Sequence, residues 1–430
     1  MWAILERPFV VMVVHPGATG AAVSAGGPAA PPRLRPASRN SGEGRLLAIL
    51  VANMFLVATC ISMMAPMLLD LSAEFHVPVG TAGQLSAAAA LPWALLAPVM
   101  GMLSDRLGRR PVLAVGSAFL GLMTLLSATA WSFPSLFIFR FLSGVAGAAS
   151  GPNVMASVMD YFPADRRGRA VGLVLAALSL ATVAGVPMLA MVAAYLGWRP
   201  AFAGLGFLLI LLGPTTWIVF PKVKHRPTGM GFLSGMASAL GEKPTPPLLL
   251  ANLLERLSFT AVMTYLAAFL MQSYSLRLSE VAPILSTTAA GTVLGSVVGG
   301  RLADRGKQAL IYSGFQLLNC ALAVPLFGTT PGVVPSVLLV SLFGIGSATA
   351  RPAWMWLISR VPEAKRGATM GFTTTTNQLG IMLGASVGGM LVGPESYEGV
   401  GFLAGGTAFA AALLCRVAVA RGPSRYRGKD

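Results

Sequence analysis

Long apolar runs, interrupted by two copies of one short charged stretch, limit what this chain can fold into. The first copy is Gly101-Met102-Leu103-Ser104-Asp105-Arg106-Leu107-Gly108-Arg109-Arg110. A shortened copy follows at Gly300-Arg301-Leu302-Ala303-Asp304-Arg305-Gly306-Lys307. Gly101, Leu103, Asp105 and Arg106 recur as Gly300, Leu302, Asp304 and Arg305, each 199 residues later. The same offset carries Pro163, Arg167, Gly168 and Gly172 to Pro362, Arg366, Gly367 and Gly371. One offset across two separate loops implies two related halves in tandem, and such a repeat has to be recognised before any fold is assigned.

The runs reach about 20 residues or more, enough to cross a hydrocarbon layer of roughly 30 Å as helix. In lipid every backbone polar group needs an internal partner, which favours helices of this length. Spanning strands would alternate polar and apolar residues over about 10 positions, and the runs show no such alternation. Only 11% of the residues are charged, against about 25% in soluble proteins. The net charge of +16 invites a nucleic-acid reading, but its distribution excludes it. Of the 31 Lys and Arg residues, 26 fall on one side of the twelve expected spans. That bias places this side, and both termini, in the cytoplasm; the basic side chains also suit contact with anionic lipid. Cys60, Cys320 and Cys415 sit far apart in apolar runs and suggest no disulfide framework. His15, His76 and His225 are scattered, so no metal site is expected. No G-x-x-x-x-G-K-[ST] loop appears, which disfavours ATP-driven chemistry.

The fold expected is all-α and membrane-embedded: twelve transmembrane helices in two pseudo-symmetric six-helix bundles. Residues 1–45 read as a flexible cytoplasmic tail, 46–220 as the N-terminal bundle and 221–246 as a Pro/Gly-punctuated cytoplasmic linker. Residues 247–419 read as the C-terminal bundle and 420–430 as a basic tail. Span 1 is expected to end at Asp70. Gly144, Gly147 and Gly151, Gly291, Gly295 and Gly299, and Gly384 and Gly388 recur at helical spacing, which puts small faces where helices can approach closely. Packing explains most of them; sliding of one bundle on the other is the second reading.

The twelve spans, the six-plus-six repeat and the hinge G-x-L-x-D-R-x-G-R-R resemble the major facilitator superfamily of secondary transporters. Within it the chain is similar to the twelve-span drug:proton antiporters, in the branch like the arabinose-efflux permease. Three stretches carry that likeness: Pro66 to Gly83, Phe162 to Arg169, and Ala184-Gly185-Val186-Pro187 leading to Gly197-Trp198-Arg199. The resemblance implies proton coupling at Arg140, which is followed four residues later by Gly144 as in the family's span-4 motif. It implies an antiporter motif in span 5, of which only Gly185 and Pro187 with Val186 between them survive. Conformational gating is implied for Gly101, Asp105, Arg106, Gly108, Arg109, Gly300, Asp304 and Arg305. In the family the hinge acid meets the amino end of span 11, where exposed N–H groups favour an anion. Asp105 is therefore expected to latch onto span 11, and Asp304 by symmetry onto span 5, each contact contributing on the order of 1 kcal/mol.

Charges within spans are costly and tend to face a cavity or a partner. Glu255, Arg256 and Arg351 form the second set of coupling or substrate candidates. Because the family fold lines its cavity with spans 1, 4, 7 and 10, Glu255 is expected to approach Arg351, with Arg256 turned about 100° away on the helix. A static ion pair is the alternative. Polar cavity candidates are Asn53, Asn153, Asn252, Tyr265, Trp354, Asn377 and Gln378, although Thr373 to Thr376 are expected mostly to bond their own backbone. The resulting picture is a monomeric plasma-membrane protein of the bacterial inner membrane. It takes a small organic substrate, protons and lipid as partners, binds no nucleic acid and is not an enzyme. It needs no cofactor beyond a proton gradient. Efflux is the leading direction; uptake, and a non-transporting assembly factor or receptor on the same scaffold, are the alternatives.

Overall fold

Apolar runs in lipid close their hydrogen bonds within the segment, and helix is the result throughout. The computed structural model describes residues 41–221, 241, 244–360, 363–393 and 396–421. Its long helices are α1 (Gly42–Glu74), α2 (Val79–Leu107), α3 (Arg109–Ala128), α4 (Phe133–Tyr161), α5 (Asp165–Leu196) and α6 (Trp198–Val219). The second series is α7 (Thr245–Tyr274), α8 (Leu278–Ala303), α9 (Gln308–Gly328), α10 (Val333–Ser359), α11 (Glu363–Met390) and α12 (Glu398–Arg421). Eleven are long and apolar enough to cross a membrane. The twelfth, α11, is 28 residues long and more polar, carrying Thr373 to Gln378 in its middle. There is no strand among the described residues.

Several helices overrun the apolar runs. Residues 42–45, expected in the tail, are the first turn of α1, where exposed Glu43 pairs with Arg166 at 2.9 Å. Asp70 likewise lies inside α1 rather than at its end, because the chain turns through Ala65–Met67 at Pro66 and then resumes as helix over Leu68–Glu74. Most of the expected linker, and the tails before 41 and after 421, lie outside the described residues.

Packing repeats between the halves. In the first, α3 lies on α6, α2 on α4, α1 on α5 and α6; in the second, α9 lies on α12, α8 on α10, α7 on α11 and α12. The halves meet through α2 against α11 and α5 against α8, which are symmetry counterparts. Leu95, Ile138, Ile218, Leu294 and Phe402 are all more than half exposed on the outer surface of this bundle, as a lipid-facing surface requires.

The repeat also corrects one expectation. The second hinge is not shortened. Position 108 of the first half corresponds to 307 of the second, and both residues cap the following helix with left-handed backbone: φ is +96° at Gly108 and +58° at Lys307. Glycine meets this requirement without strain; in the second half the preceding Gly306, at φ +84°, shares the turn. The reversal leaves no intervening loop, so Arg109 enters α3 directly beneath the last turn of α2.

Candidate functional site

The hinge end of α2, α3 and α4 is tied by one side chain. Arg109 is buried and donates from Nη2 to Asp105 at 2.7 Å, from Nε to Asp160 at 2.9 Å, and from Nη1 to Ser104 at 3.1 Å and Asn153 at 3.3 Å. Asn153, read as a cavity residue, belongs to this cluster instead; its Nδ2 is spent on the Ala149 carbonyl. Asp160 was not anticipated, because an acid at the last turn of a span looks like a boundary residue. At the second hinge Gln308 stands in place of Arg109 and donates to the Ala303 carbonyl at 2.8 Å. The charged corner is therefore confined to the first half. Arg106 and Arg305 are exposed.

The amino end of α11, the partner expected for Asp105, lies largely outside the described residues. Asp105 turns to Arg109, and Asp304 is exposed as the C-terminal cap of α8. Cβ positions built on Gly101, Gly168, Gly172 and Gly300 meet open space. Among the described residues, the buried cluster at the hinge end of the second half, around Leu248, Tyr312, Trp354 and Cys415, contains residues of that half alone.

The opposite end is sealed. A Cβ on Gly80 of α2 would lie 2.0 Å from the carbonyl oxygen of Gly389 in α11, and one on Gly389 would lie 2.4 Å from that of Gly80. Gln84 donates to the Ser386 carbonyl at 3.1 Å. Tyr265, fully buried, donates to the Ala385 carbonyl at 2.6 Å and presses on Gly83 and Gly389. It is thus part of the seal and not of a cavity. Leu68 and Ala82 join the apolar cluster of the second half here, and Leu278 and Ala282 join that of the first. Contacts of α8 with α5 run through Ala181–Gly185 and Val186–Leu196, the part of α5 away from the hinge. Ala181–Gly185 forms a π-turn, a feature often found at functional positions. It brings Gly185 so close to α1 that a Cβ there would lie 2.4 Å from Thr59 Oγ1, with Pro187 opening the next helical piece.

Between the two ends lies a small pocket. Arg140 of α4, Trp93 of α2, Cys60 and Ile61 of α1, and Gln378 and Ile381 of α11 line it, so both halves contribute. Arg140 is 1% exposed, and its Nε and Nη1 have no hydrogen-bond partner among the described residues. Gln378 was anticipated; Trp93 was not, since an aromatic in an apolar run carries no polar signal.

The second charged set is paired differently from expectation. Glu255 forms a two-bond pair with its neighbour Arg256, the Nε to Oε2 distance being 2.6 Å, and both are buried. Arg256 also stacks on Phe259 at 4.8 Å. A long side chain can fold back across the 100° between successive helical positions, and this stacking holds it there. Arg351 instead donates to Asn377 at 3.2 Å. Asn252 donates to Thr376 at 3.0 Å, joining α7 to α11. Asn53 donates to Ser117 at 2.6 Å and Trp354 to the Leu248 carbonyl at 2.9 Å, both as packing contacts. Thr373, Thr374 and Thr376 bond their own helix, whereas Thr375 reaches the Ala94 carbonyl of α2 at 3.4 Å.

The hinge corner yields one expected outcome. Arg109→Ala removes one donor each from Asp105, Asp160, Ser104 and Asn153. Asp105 and Asp160 are 40% and 31% exposed, so water recovers part of the loss. The expected destabilisation is about 1–3 kcal/mol, read as a lower unfolding temperature in detergent, and Arg109→Lys recovers only part because it lacks the fork.

Comparison with known proteins agrees with this geometry. Residues 50–242 and 248–429 match the Major Facilitator Superfamily. A chloramphenicol resistance protein of Streptomyces lividans is 30% identical over 388 residues, covering 87% of this chain and 93% of that one. A 3-(3-hydroxy-phenyl)propionate transporter of Escherichia coli (strain K12) is 27% identical over 321 residues, covering 70% and 74%. Among solved structures, a bacterial homolog to the human lysosomal transporter Spinster, in an inward-facing and occupied conformation, overlays with a TM-score of 0.76 at 17% identity. That overlay covers 91% of this chain and 99% of the other. This chain belongs to the Major Facilitator Superfamily and is an integral multi-pass membrane transporter.

Proposed function

We propose that the chain is a proton-coupled secondary transporter of the bacterial inner membrane that exports a small organic molecule by alternating access. The observation that carries this reading is the seal at one end, where the backbones of the two halves meet at Gly80 and Gly389, while at the hinge end a Cβ on Gly101 or Gly300 meets none of the described residues. A site flanked in this way has access from one side at a time, as rocking of two repeats about a midplane site requires. The basic residues gather at the hinge end, which supports a cytoplasmic hinge end and an inward-open state. Bodies 46–220 and 247–419 rock, and Asp105 and Asp304 engage α11 and α5 when the hinge end shuts. Glu255 is the one acid among the four mid-span charges and carries the proton, releasing Arg256 when it does so. The protein acts as a monomer, with both termini cytoplasmic and no cofactor.

Export is supported by the antiporter likeness and by the name of the Streptomyces relative. Uptake keeps support from the incomplete motif at Gly185-Val186-Pro187. An untargeted comparison of small molecules inside and outside cells tests the reading, with the gene deleted, restored, or restored as Arg140→Ala. A compound that accumulates in the deletion strain and is cleared only by the intact gene is the expected result. A compound left in the medium by that strain reverses the direction, and no difference of either kind removes the transport reading.

A further inference from the structure

Arg140 has no hydrogen-bond partner for Nε or Nη1 among the described residues, although it is almost wholly buried. A buried carboxylate can escape such a position by taking a proton; a guanidinium cannot shed its charge. Left bare, it destabilises the fold unless something fills the site. The pocket before it holds about 30 Å³ of space, room for one or two waters or an ionic head group. Away from their ends, α4, α7 and α10 also carry more cations than acids. Arg140, Arg256 and Arg351 are accompanied only by Glu255, which Arg256 occupies. The hydrogen bond of Arg351 goes to neutral Asn377, and the next residue along α11, Gln378, lines the Arg140 pocket. At the seam between the halves Arg140 is thus a cationic donor with no acid paired to it among the described residues, beside an apolar wall of Ile61, Trp93 and Ile381.

We propose that the transported molecule is an organic carboxylate, with its acid group received by the Arg140 guanidinium in this pocket and its apolar body by Trp93, Ile61 and Ile381 as the halves part around it. This rests on the reading of the chain as a transporter and names the class of its substrate. Gln378, from the other half, supplies an uncharged hydrogen-bonding group beside the acid, so the bound carboxylate is held by both moving bodies.

Purified full-length protein in detergent tests this by titration at pH 7 with matched acid, amide and amine forms of one body. The probes are 3-phenylpropionate, its amide and 3-phenylpropylamine, then hexanoate, hexanamide and hexylamine; sodium phosphate and sodium chloride alone are the ion controls. Thermal unfolding and tryptophan fluorescence are followed. At least one acid is expected to bind saturably and at least ten-fold more tightly than its amide and amine. Arg140→Gln is expected to lose at least ten-fold in affinity for that acid, and Arg140→Lys to keep part of it. Without ligand, Arg140→Gln is expected to unfold at or above the wild-type temperature, because it removes an uncompensated charge; a purely structural arginine would show the opposite shift. The proposal is overturned if no acid outbinds its amide, if phosphate or chloride alone reproduces the effect, or if Arg140→Gln binds the acid as wild type does. The cell comparison separates the two readings. A neutral or cationic compound moved by the intact protein removes the carboxylate and leaves the transporter standing, whereas no compound moved at all removes the transporter reading itself.

Discussion

Gly80→Val is expected to reduce turnover about 100-fold or more while leaving membrane insertion intact. Its Cβ alone would sit 2.0 Å from the Gly389 carbonyl oxygen and 2.8 Å from its carbon. Both are backbone atoms held within α11, so no side-chain rotation relieves the clash, and the helices have to part. Shifting a two-state equilibrium from 1:99 to 99:1 takes about 5.5 kcal/mol, and a backbone overlap of this depth is on that scale. The state sealed at this end becomes inaccessible, and the cycle stalls in the opposite one. Transport into reconstituted vesicles gives the first reading. Thiol labelling of a cysteine introduced at Gly101, which faces open space here, gives the second: its reactivity falls as the hinge end closes. Undiminished transport by Gly80→Val would mean that this seal is no part of the cycle.

Glu255→Gln is expected to cost about 3–5 kcal/mol of stability, because it strands the buried Arg256 cation. The two groups are 3% and 7% exposed, so water offers little compensation. Replacing both, as Glu255→Leu with Arg256→Met, recovers most of that stability, since apolar residues of similar volume often substitute for a buried ion pair at no loss. Neither variant is expected to accumulate substrate against a gradient when a proton gradient is imposed on vesicles. Recovery of both stability and gradient-driven transport in the double variant would make the pair a structural element only.

The helices were legible because lipid leaves the backbone few alternatives, and the repeat was legible because both loops preserve one offset. That offset even carried the left-handed position from Gly108 to Lys307, where motif comparison alone suggested a missing residue. Partner choice was not legible. Whether Glu255 meets Arg351 or Arg256 turns on side-chain rotamers and on the ring of Phe259, which spacing along a helix does not encode. Tyr265, Asn53 and Trp354 have the polarity of ligand-binding residues, yet each uses its polar group to fasten one helix to another. Arg140 was legible as an intramembrane charge because no acid is clearly matched to it in the sequence, and its Nε and Nη1 have no partner among the described residues.

The glycine contact between α2 and α11 also has a mechanical side. From Gly80 to Gly101 is 21 residues along one helix, about 31 Å at 1.5 Å per residue. Used as a fulcrum, the contact turns a tilt of about 10° into roughly 5 Å of travel at the far end of that arm. Gln84 and Tyr265, each bonded to a carbonyl of α11 there, are the side chains that hold the contact in place. Positions 80 and 389 therefore set the leverage of the whole device: a slight change in how these two backbones rest on each other resizes the opposite mouth by ångströms, with no residue near Arg140 altered.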